Sequence, residues 1–249
     1  MLLEARDVVK MFGAFRAVDG VEMELGEGEM IGLIGPNGAG KSTFFNCIVG
    51  DFPPTEGRIL FDGTDVTGLS PEGHAVLGIA RTHQVPVSFE TMSVLENVMV
   101  GAFLRHPRRR EAEARAREVI EFCELGAQAD SRAGSLGTPG RKRLEIARAL
   151  ATEPRLLLLD EALAGLTPTE TRTAIELVRR IHGRGIALVI VEHVMEVIMT
   201  LAQRVVVFNE GRIIASGEAA AVVEDPGVIE AYLGRGSFRR RREDGHAPG

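Results

Sequence analysis

Residues 30–42 read Met-Ile-Gly-Leu-Ile-Gly-Pro-Asn-Gly-Ala-Gly-Lys-Ser, and they carry the strongest structural signal in the chain. The run from Met30 to Ile34 is continuously apolar, which is typical of a short strand buried on both faces. A glycine-rich segment follows it, and a helical pattern then extends from Lys41 to about Val49. The segment therefore predicts a buried strand, a glycine loop and a helix in direct succession.

The glycine loop fits the pattern G-x-x-x-x-G-K-[ST] of a phosphate-binding loop, in the strand–loop–helix context that this motif requires. Glycines let backbone N–H groups converge on phosphate oxygens, and the helix N-terminus adds partial positive charge. The Lys41 ammonium would neutralise phosphate charge, and the Ser42 hydroxyl would bind Mg²⁺. The residues expected to bind the nucleotide in this segment are Gly35, Pro36, Asn37, Gly38, Ala39, Gly40, Lys41, Ser42 and Thr43.

A second nucleotide-binding signal lies at residues 156–161, Leu-Leu-Leu-Leu-Asp-Glu. The leucines predict a buried strand that delivers two carboxylates at its C-terminal end, where α/β sheets bind ligands. We expect Asp160 to hold a water of the Mg²⁺ ion and Glu161 to polarise the attacking water, because phosphoryl transfer depends on positioning and charge neutralisation. A strand ending in Asp-Glu is weak evidence alone, and it becomes strong beside a phosphate loop.

The composition is that of a globular chain without a membrane span. The 249 residues are 45% hydrophobic and 26% charged, so one domain with a subdomain can bury a full core. The formal net charge of −6 argues against a nucleic-acid partner. We expect no secretory signal at the N-terminus, and charged residues interrupt the longest apolar stretch, 186–202. Any membrane role is therefore expected to depend on a partner protein.

Lysine is nearly absent from the chain, where it occurs only as Lys10, Lys41 and Lys142. Arginine carries the rest of the positive charge, so scattered arginines indicate coding bias and not a binding patch. A lysine kept at position 41 is consistent with a specific role there. Cys47 and Cys123 lie in apolar helical patterns, which favours free thiols in a reducing cytosol.

The order of predicted elements divides the chain into an α/β part, a helical middle and a second α/β part. Helical signals extend from residue 93 to about 151, beginning with the capping-box pair Ser93 and Glu96. The polar tail 235–249 is expected to be disordered. Strands are predicted at 2–9, 21–25, 30–34, 58–61, 156–159, 186–191, 204–208 and 212–216, and helices at 41–49, 108–125, 168–182, 193–202 and 228–233.

Taken together, these motifs resemble those of the ABC (ATP-binding cassette) transporter ATPases, over roughly residues 2–234. The resemblance implies an α/β fold: a P-loop NTPase (RecA-like) core with an antiparallel β subdomain and a helical subdomain, of the ABC ATPase type. The core would comprise residues 1–84 and 154–234, and the helical subdomain with the signature loop would comprise residues 85–153.

The resemblance also assigns roles to three residues outside the two strong motifs. Gln84, after a predicted strand, resembles the loop glutamine that contacts Mg²⁺ and the attacking water. His193 resembles the switch histidine that contacts the γ-phosphate, and Phe12 matches the aromatic residue that stacks on adenine. The implied catalytic residues are Glu161, His193 and Gln84, and the implied metal ligands are Ser42, Gln84 and, through water, Asp160.

Three further segments resemble the ATPase branch of branched-chain amino-acid importers: Gly-Ile-Ala-Arg-Thr before Gln84, Glu-His-Val-Met at 192–195, and Val-Ile-Glu-Ala-Tyr-Leu-Gly at 228–234. The branch implies ATP and Mg²⁺ as cofactors. It implies transmembrane permease subunits, a second ATP-binding subunit and a periplasmic or extracellular substrate-binding protein as partners. The chain would be cytoplasmic, on the inner face of the membrane through the permease. Urea or amide import and lipopolysaccharide export remain alternatives.

The signature loop departs from the family pattern Leu-Ser-Gly-Gly-Gln. A gap-free alignment gives Leu136-Gly137-Thr138-Pro139-Gly140, which lacks the serine hydroxyl and one N–H donor. A two-residue shift of the alignment would recover Ser135 and Gly137 but needs an insertion. Thr138 and Pro139 still predict a helix cap and first helical position. In this family each site pairs one chain's phosphate loop with the other chain's signature, so the alteration predicts a weaker site on the partner.

Two other function classes remain open from the sequence. The altered signature is compatible with a cassette that binds ATP, dimerises and hydrolyses slowly, although Lys41, Asp160, Glu161 and His193 are intact. A cassette protein acting on ribosomes or DNA usually has two cassettes or long coiled-coil inserts, and neither is apparent here.

Overall fold

The computed structural model describes residues 1–84 and 87–233. In this part of the chain the strands are β1 (Leu3–Phe12), β2 (Phe15–Leu25), β3 (Met30–Ile34), β4 (Glu56–Phe61), β5 (Thr64–Asp65), β6 (Ile79–Arg81), β7 (Leu156–Asp160), β8 (Ala187–Val191), β9 (Arg204–Asn209) and β10 (Arg212–Gly217). The α-helices are α1 (Lys41–Ile48), α2 (Pro71–Leu77), α3 (Val94–Ala102), α4 (Arg109–Phe122), α5 (Thr138–Leu150), α6 (Pro168–His182), α7 (Met195–Leu201), α8 (Ala219–Val223) and α9 (Pro226–Leu233).

A six-stranded sheet forms the centre of the fold, in the order β10-β9-β3-β8-β7-β6. Strand β3 pairs in parallel with β8 and β9, and β7 pairs in parallel with β6 and β8. Every residue of β3, β7 and β8 is buried, as continuous apolar runs in a sheet covered on both faces require. The C-terminal ends of β3 and β7 therefore lie at the same edge of the sheet.

A second, antiparallel sheet has the order β2-β1-β4-β5 and packs on the face of the central sheet that carries α1. The apolar side chains of β1 and β2 share a core with Phe44 and Phe45 of α1 and with Phe208 of β9. This packing brings the β1–β2 hairpin close to the phosphate loop. The antiparallel sheet thus forms one wall of the site described below.

Helices α3, α4 and α5 pack against one another, and their buried residues continue into the core under the opposite face of the central sheet. Ser93 caps α3 in a capping box with Glu96, as predicted. The hydrogen bonds of α5 connect this helical region to the edge of the sheet at β6 and β7. None of the helices described is long and apolar enough to cross a membrane.

Most predicted elements occur within one or two residues of their predicted bounds, and β3 and α6 agree at both ends. Strands β1 and β2 are longer than predicted because they form a hairpin around Gly13. The elements β5, α2 and α8 were not predicted, and each is seven residues or shorter. Helix α7 begins at Met195, two residues later than predicted. The predicted disordered tail lies outside the described residues.

Candidate nucleotide-binding and catalytic site

The phosphate loop connects β3 to α1 through two positions that require glycine. Gly35 has φ +147°, and a Cβ there would lie 2.2 Å from the carbonyl oxygen of Phe208. Gly40 has φ +101°, and its Cβ would lie 2.4 Å from the carbonyl oxygen of Ala17. Since neither position tolerates a side chain, the loop can pass close to β9 and β2 and enter α1 with free N–H groups at its first turn.

Lys41, the first residue of α1, is buried although it is charged. Its Nζ donates to the carbonyl oxygens of Gly35 (2.6 Å) and Pro36 (3.0 Å). Burial lowers the pKa of Lys41, while Glu161 and Asp160 act in the opposite direction. The ammonium group thus lies between the phosphate loop and the acidic pair at the end of β7.

Asp160, the last residue of β7, is 5% exposed. Its Oδ2 lies 3.4 Å from Nη2 of Arg81, and burial raises its pKa. Its Oδ1 is buried and has no hydrogen-bond partner among the described residues. A buried carboxylate oxygen that lacks a donor fits a Mg²⁺-bound water, because the water would supply the missing hydrogen bond.

Glu161 accepts hydrogen bonds from both side chains that the family resemblance selected. Gln84 Nε2 lies 2.8 Å from its Oε2, and His193 Nε2 lies 2.6 Å from its Oε1. The backbone of Glu161 has φ +47°, in the left-handed region that non-glycine residues seldom adopt. Its N–H donates to the carbonyl oxygen of Val191, which anchors this conformation to β8. Two side chains far apart in sequence, Gln84 and His193, therefore converge on one carboxylate.

A cavity of about 640 Å³ opens between the phosphate loop and this carboxylate. Its lining includes Ser42 and Thr43 at the start of α1, together with Gln84, Glu161 and His193. Asp160 is not among the residues that line this cavity. The complete lining consists of Phe15, Ala17, Asn37, Gly38, Ala39, Gly40, Lys41, Ser42, Thr43, Gln84, Glu161 and His193.

Of two aromatic residues in the β1–β2 hairpin, Phe15 lines this cavity and Phe12 does not. Phe12 packs edge-to-face on Phe52, with centroids 5.5 Å apart, and Lys10 lies over both rings. Phe15, three residues later, lines the cavity and is 65% exposed. The sequence identified Phe12 alone. Adenine stacking by Phe12 stays a prediction, and Phe15 is a competing residue that only the three-dimensional structure reveals.

Arg81 is a further residue that the sequence did not single out. It donates to the Asn46 side chain of α1 (2.6 Å) and to Asp51 (2.5 Å), and it approaches Asp160. The guanidinium therefore connects α1 with β7 behind the site. A signal was present, because Arg81 lies in the segment Gly-Ile-Ala-Arg-Thr that precedes Gln84, but its partners depend on tertiary structure.

The signature loop lies outside the cavity. Gly137 is the N-cap of α5, so the predicted cap at Thr138 is wrong by one residue; Thr138 and Pro139 occupy the first turn. Glycine has no side chain to cap the helix, where a serine could. The Ser135 hydroxyl donates to the carbonyl oxygen of Arg132, so it is already engaged within its own turn. This contact favours the gap-free alignment over the shifted one.

Comparisons with known proteins agree with the geometry. Residues 18–164 match the family model of the ABC transporter, and residues 212–237 match that of the branched-chain amino acid ATP-binding cassette transporter. The high-affinity branched-chain amino acid transport ATP-binding protein LivG of Escherichia coli is 38% identical over 94% of this chain and 98% of its own length. BraF of Pseudomonas aeruginosa, which has the same description, is 35% identical over the same shares. A crystal structure of the ADP conformation of an ATP-binding cassette from an ABC transporter matches with a TM-score of 0.85, at 33% identity over 94% of this chain and 99% of the other.

Proposed function

This chain belongs to the ABC transporter family, and we propose that it is the ATP-hydrolysing subunit of an importer of branched-chain amino acids. Family membership makes it a nucleotide-binding ATPase. The observation that carries the catalytic assignment is the convergence of Gln84 and His193 on Glu161, beside the phosphate loop. The following paragraphs assign a role to each group.

The phosphates would lie against the N-terminus of α1, with residues 35–43 as their cradle. Free N–H groups of the first turn and the Lys41 ammonium would face the β- and γ-phosphate oxygens. Lys41 would exchange its present carbonyl partners for phosphate, which is a stronger acceptor because it is charged. Ser42 and Gln84, with Asp160 through a water, would hold Mg²⁺, which supplies further neutralisation of phosphate charge when bound.

Glu161 would act as the general base toward the attacking water. A carboxylate at the end of β7 faces the cavity that would hold the γ-phosphate, and it needs no movement of the backbone to do so. His193 and Gln84 would orient this carboxylate and contact the γ-phosphate and the water. The reaction then depends on positioning by three side chains and on charge neutralisation by Lys41.

The test of this function is phosphate release by the purified chain with MgATP, compared with the Lys41→Ala variant. We expect measurable hydrolysis in the unaltered protein and none above background in the variant. Equal phosphate release from both would show that the activity comes from a contaminant or another site.

The cargo is tested by uptake in cells. Deletion of the gene should abolish uptake of labelled leucine, isoleucine and valine but not of urea.

We also propose permease subunits, a second ATP-binding subunit and an external substrate-binding protein as partners, since the relatives are described as transport ATP-binding proteins. A groove of about 280 Å³ lies beside the Gln84 loop and includes Val100 of α3 and His83. Val100, which lines the groove, is exposed, and so are Val76 of α2 and Phe103, the residue after α3. We propose that the permease binds here, which would place it next to Gln84. Charged substitutions at Val100 should then stop co-purification with the permease and leave ATP binding intact.

We also propose that the chain divides into a core, residues 1–84 and 154–234, and a helical subdomain, residues 85–153.

One observation favours a second candidate function, that of a slow or regulatory cassette. Gly137 and Pro139 leave the first turn of α5 without a side-chain cap and without one N–H donor. A hydrolysis rate near background in the complete transporter would support that second candidate.

A further inference from the structure

Helix α5 begins at the signature loop and contacts the catalytic cluster through two charged side chains one turn apart, Lys142 and Glu145. Residues spaced by three positions lie on the same helix face. Glu145 is 5% exposed, and Lys142 is partly buried. Buried charged groups need specific partners, because burial otherwise disfavours their charged form. Glu145 bonds to the backbone on either side of Gln84, and Lys142 bonds to the backbone of Glu161.

Glu145 holds the backbone on both sides of Gln84. Its Oε2 accepts from the N–H of His83 (2.9 Å), and its Oε1 accepts from the N–H of Val87 (2.8 Å). Arg148, one turn further along α5, donates to the carbonyl oxygen of Val87. The two carboxylate oxygens thus fix the residue before Gln84 and the residue three positions after it. A displacement of Glu145 would move both attachment points together.

Lys142 holds the backbone of Glu161. Its Nζ donates to the carbonyl oxygen of Glu161 (2.8 Å), in the peptide unit that follows the left-handed residue. Glu192 is buried near Lys142, and it accepts a hydrogen bond from the N–H of Leu163 (2.7 Å). The segment that follows Glu161 is therefore fixed by Lys142 at Glu161 and by Glu192 at Leu163. Burial lowers the pKa of Lys142, and Glu192 and Glu161 offset that effect. A single ammonium therefore connects α5 to the end of β7.

The choice of lysine at position 142 supports a specific role. The chain has 29 lysines and arginines, of which only three are lysine. Lys142 stands between Arg141 and Arg143, so arginine is the ordinary residue in this very segment. A compact ammonium at the end of a flexible stem reaches one carbonyl oxygen, whereas a guanidinium spreads its donors over a plane.

We propose that Lys142 and Glu145 are positioning residues, through which one face of α5 sets the distance between Gln84 and Glu161. A shift of the signature loop along α5 then changes the geometry of the catalytic pair. This inference rests on the proposed function, because it describes how that same site is positioned. It predicts that the two residues act on the rate of hydrolysis through Gln84 and Glu161, and not through the stability of the fold.

The test uses Glu145→Gln, with Glu176→Gln on the exposed face of α6 as the matched control. The glutamine amide would face one of the two backbone N–H donors, so that attachment is lost. We expect kcat to fall about tenfold, with the Kd for MgATP changed less than about twofold, since small misplacements of a catalytic group cost rate more than binding. In a Gln84→Ala background, Glu145→Gln should cost less than about a further twofold, because the residue that it positions is gone.

Lys142→Met and Lys142→Arg provide a second series. The methionine variant should lose activity to a similar extent. The arginine variant, which keeps a charged donor but not the compact ammonium, should fall between the methionine variant and the unaltered protein. Equal fold losses from Glu145→Gln in both backgrounds, or wild-type kcat in Glu145→Gln, would overturn the proposal. So would an arginine variant as slow as the methionine variant.

Amide hydrogen exchange of the protein without nucleotide separates this inference from the proposed function. Of the N–H groups of His83 and Val87, the one that faces the glutamine amide should exchange about tenfold faster in Glu145→Gln than in the control, because it loses its fixed acceptor. Unchanged exchange would refute the positioning role. A chain that hydrolyses no ATP, yet shows this faster exchange, would refute the proposed function and leave the positioning role in place.

Discussion

Replacing Glu161 by glutamine separates ATP binding from hydrolysis in this site. The amide has the shape of the carboxylate and retains one oxygen for His193 or Gln84, but it cannot take a proton from water. General-base catalysis contributes about 10²–10⁴ in rate, which corresponds to roughly 3–5 kcal/mol of activation free energy at about 1.4 kcal/mol per factor of ten. The fold should survive, because glutamine has the size of glutamate and the contacts of Glu161 with Gln84 and His193 lie at the cavity and not in the core.

The assay for Glu161→Gln combines steady-state phosphate release at saturating MgATP with a binding titration. We expect turnover to fall at least about 100-fold, with a Kd within a few-fold of the unaltered protein, and an ATP-bound dimer should accumulate. Glu176→Gln serves as the control for loss of a surface carboxylate. Turnover at the unaltered rate would refute the assignment of Glu161 as the base. A parallel loss of ATP binding would show that the carboxylate is needed for the site itself.

Three further predictions concern binding and the dimer. Lys41→Ala should weaken MgATP binding by about 100-fold or more, since two charge-assisted contacts are lost; a titration with unchanged affinity would refute the phosphate-loop assignment. Phe12→Ala and Phe15→Ala should differ in their effect on ATP binding, because the variant that removes the ring stacked on adenine should raise the Kd for ATP about tenfold. Equal small effects from both variants would exclude either ring as the stacking partner. In a heterodimer whose partner has an intact signature, Gly137→Ser with Pro139→Gly should raise ATP hydrolysis mainly at the partner's site. Two lost hydrogen bonds to phosphate can slow hydrolysis there by ~10²–10⁴. No gain in hydrolysis would refute the unequal activity of the two sites.

The elements that the sequence predicts most accurately are those with local causes. Strand β3 is a continuous apolar run closed by the glycine loop, and α6 is bounded by Pro168 and Gly183. Thr167 also forms a capping box with Glu170. Short elements such as β5 and α8 escaped prediction because two to five residues give no measurable periodicity. Their conformation follows from the elements on which they pack.

The residues of the proposed catalytic site could be named from the sequence, but their contacts could not. Lys41, Ser42, Asp160 and Glu161 belong to local motifs, and the resemblance adds Gln84 and His193. The side chains that hold the cluster, Arg81, Lys142 and Glu145, follow no local rule, since Glu145 bonds to backbone groups 58 and 62 residues away. Phe15 illustrates the same limit. The sequence identifies an aromatic residue in the hairpin, and only the twist of β1 and β2 determines which ring faces the cavity.

The signature loop at the start of α5 and the catalytic cluster do not touch, because the loop is exposed while a different, buried face of α5 packs toward the cluster. Gly137 and Thr138 are exposed, and neither contributes to the cavity that contains Lys41 and Glu161. A Cβ at Gly137 would meet only Pro139, at 3.9 Å, so packing does not exclude a serine there. The buried face of the same helix carries Glu145 with all its partners in place. A missing serine hydroxyl at Gly137 therefore removes no packing contact within this chain, and in the proposed dimer its cost would fall on the phosphate loop that the exposed end of α5 meets.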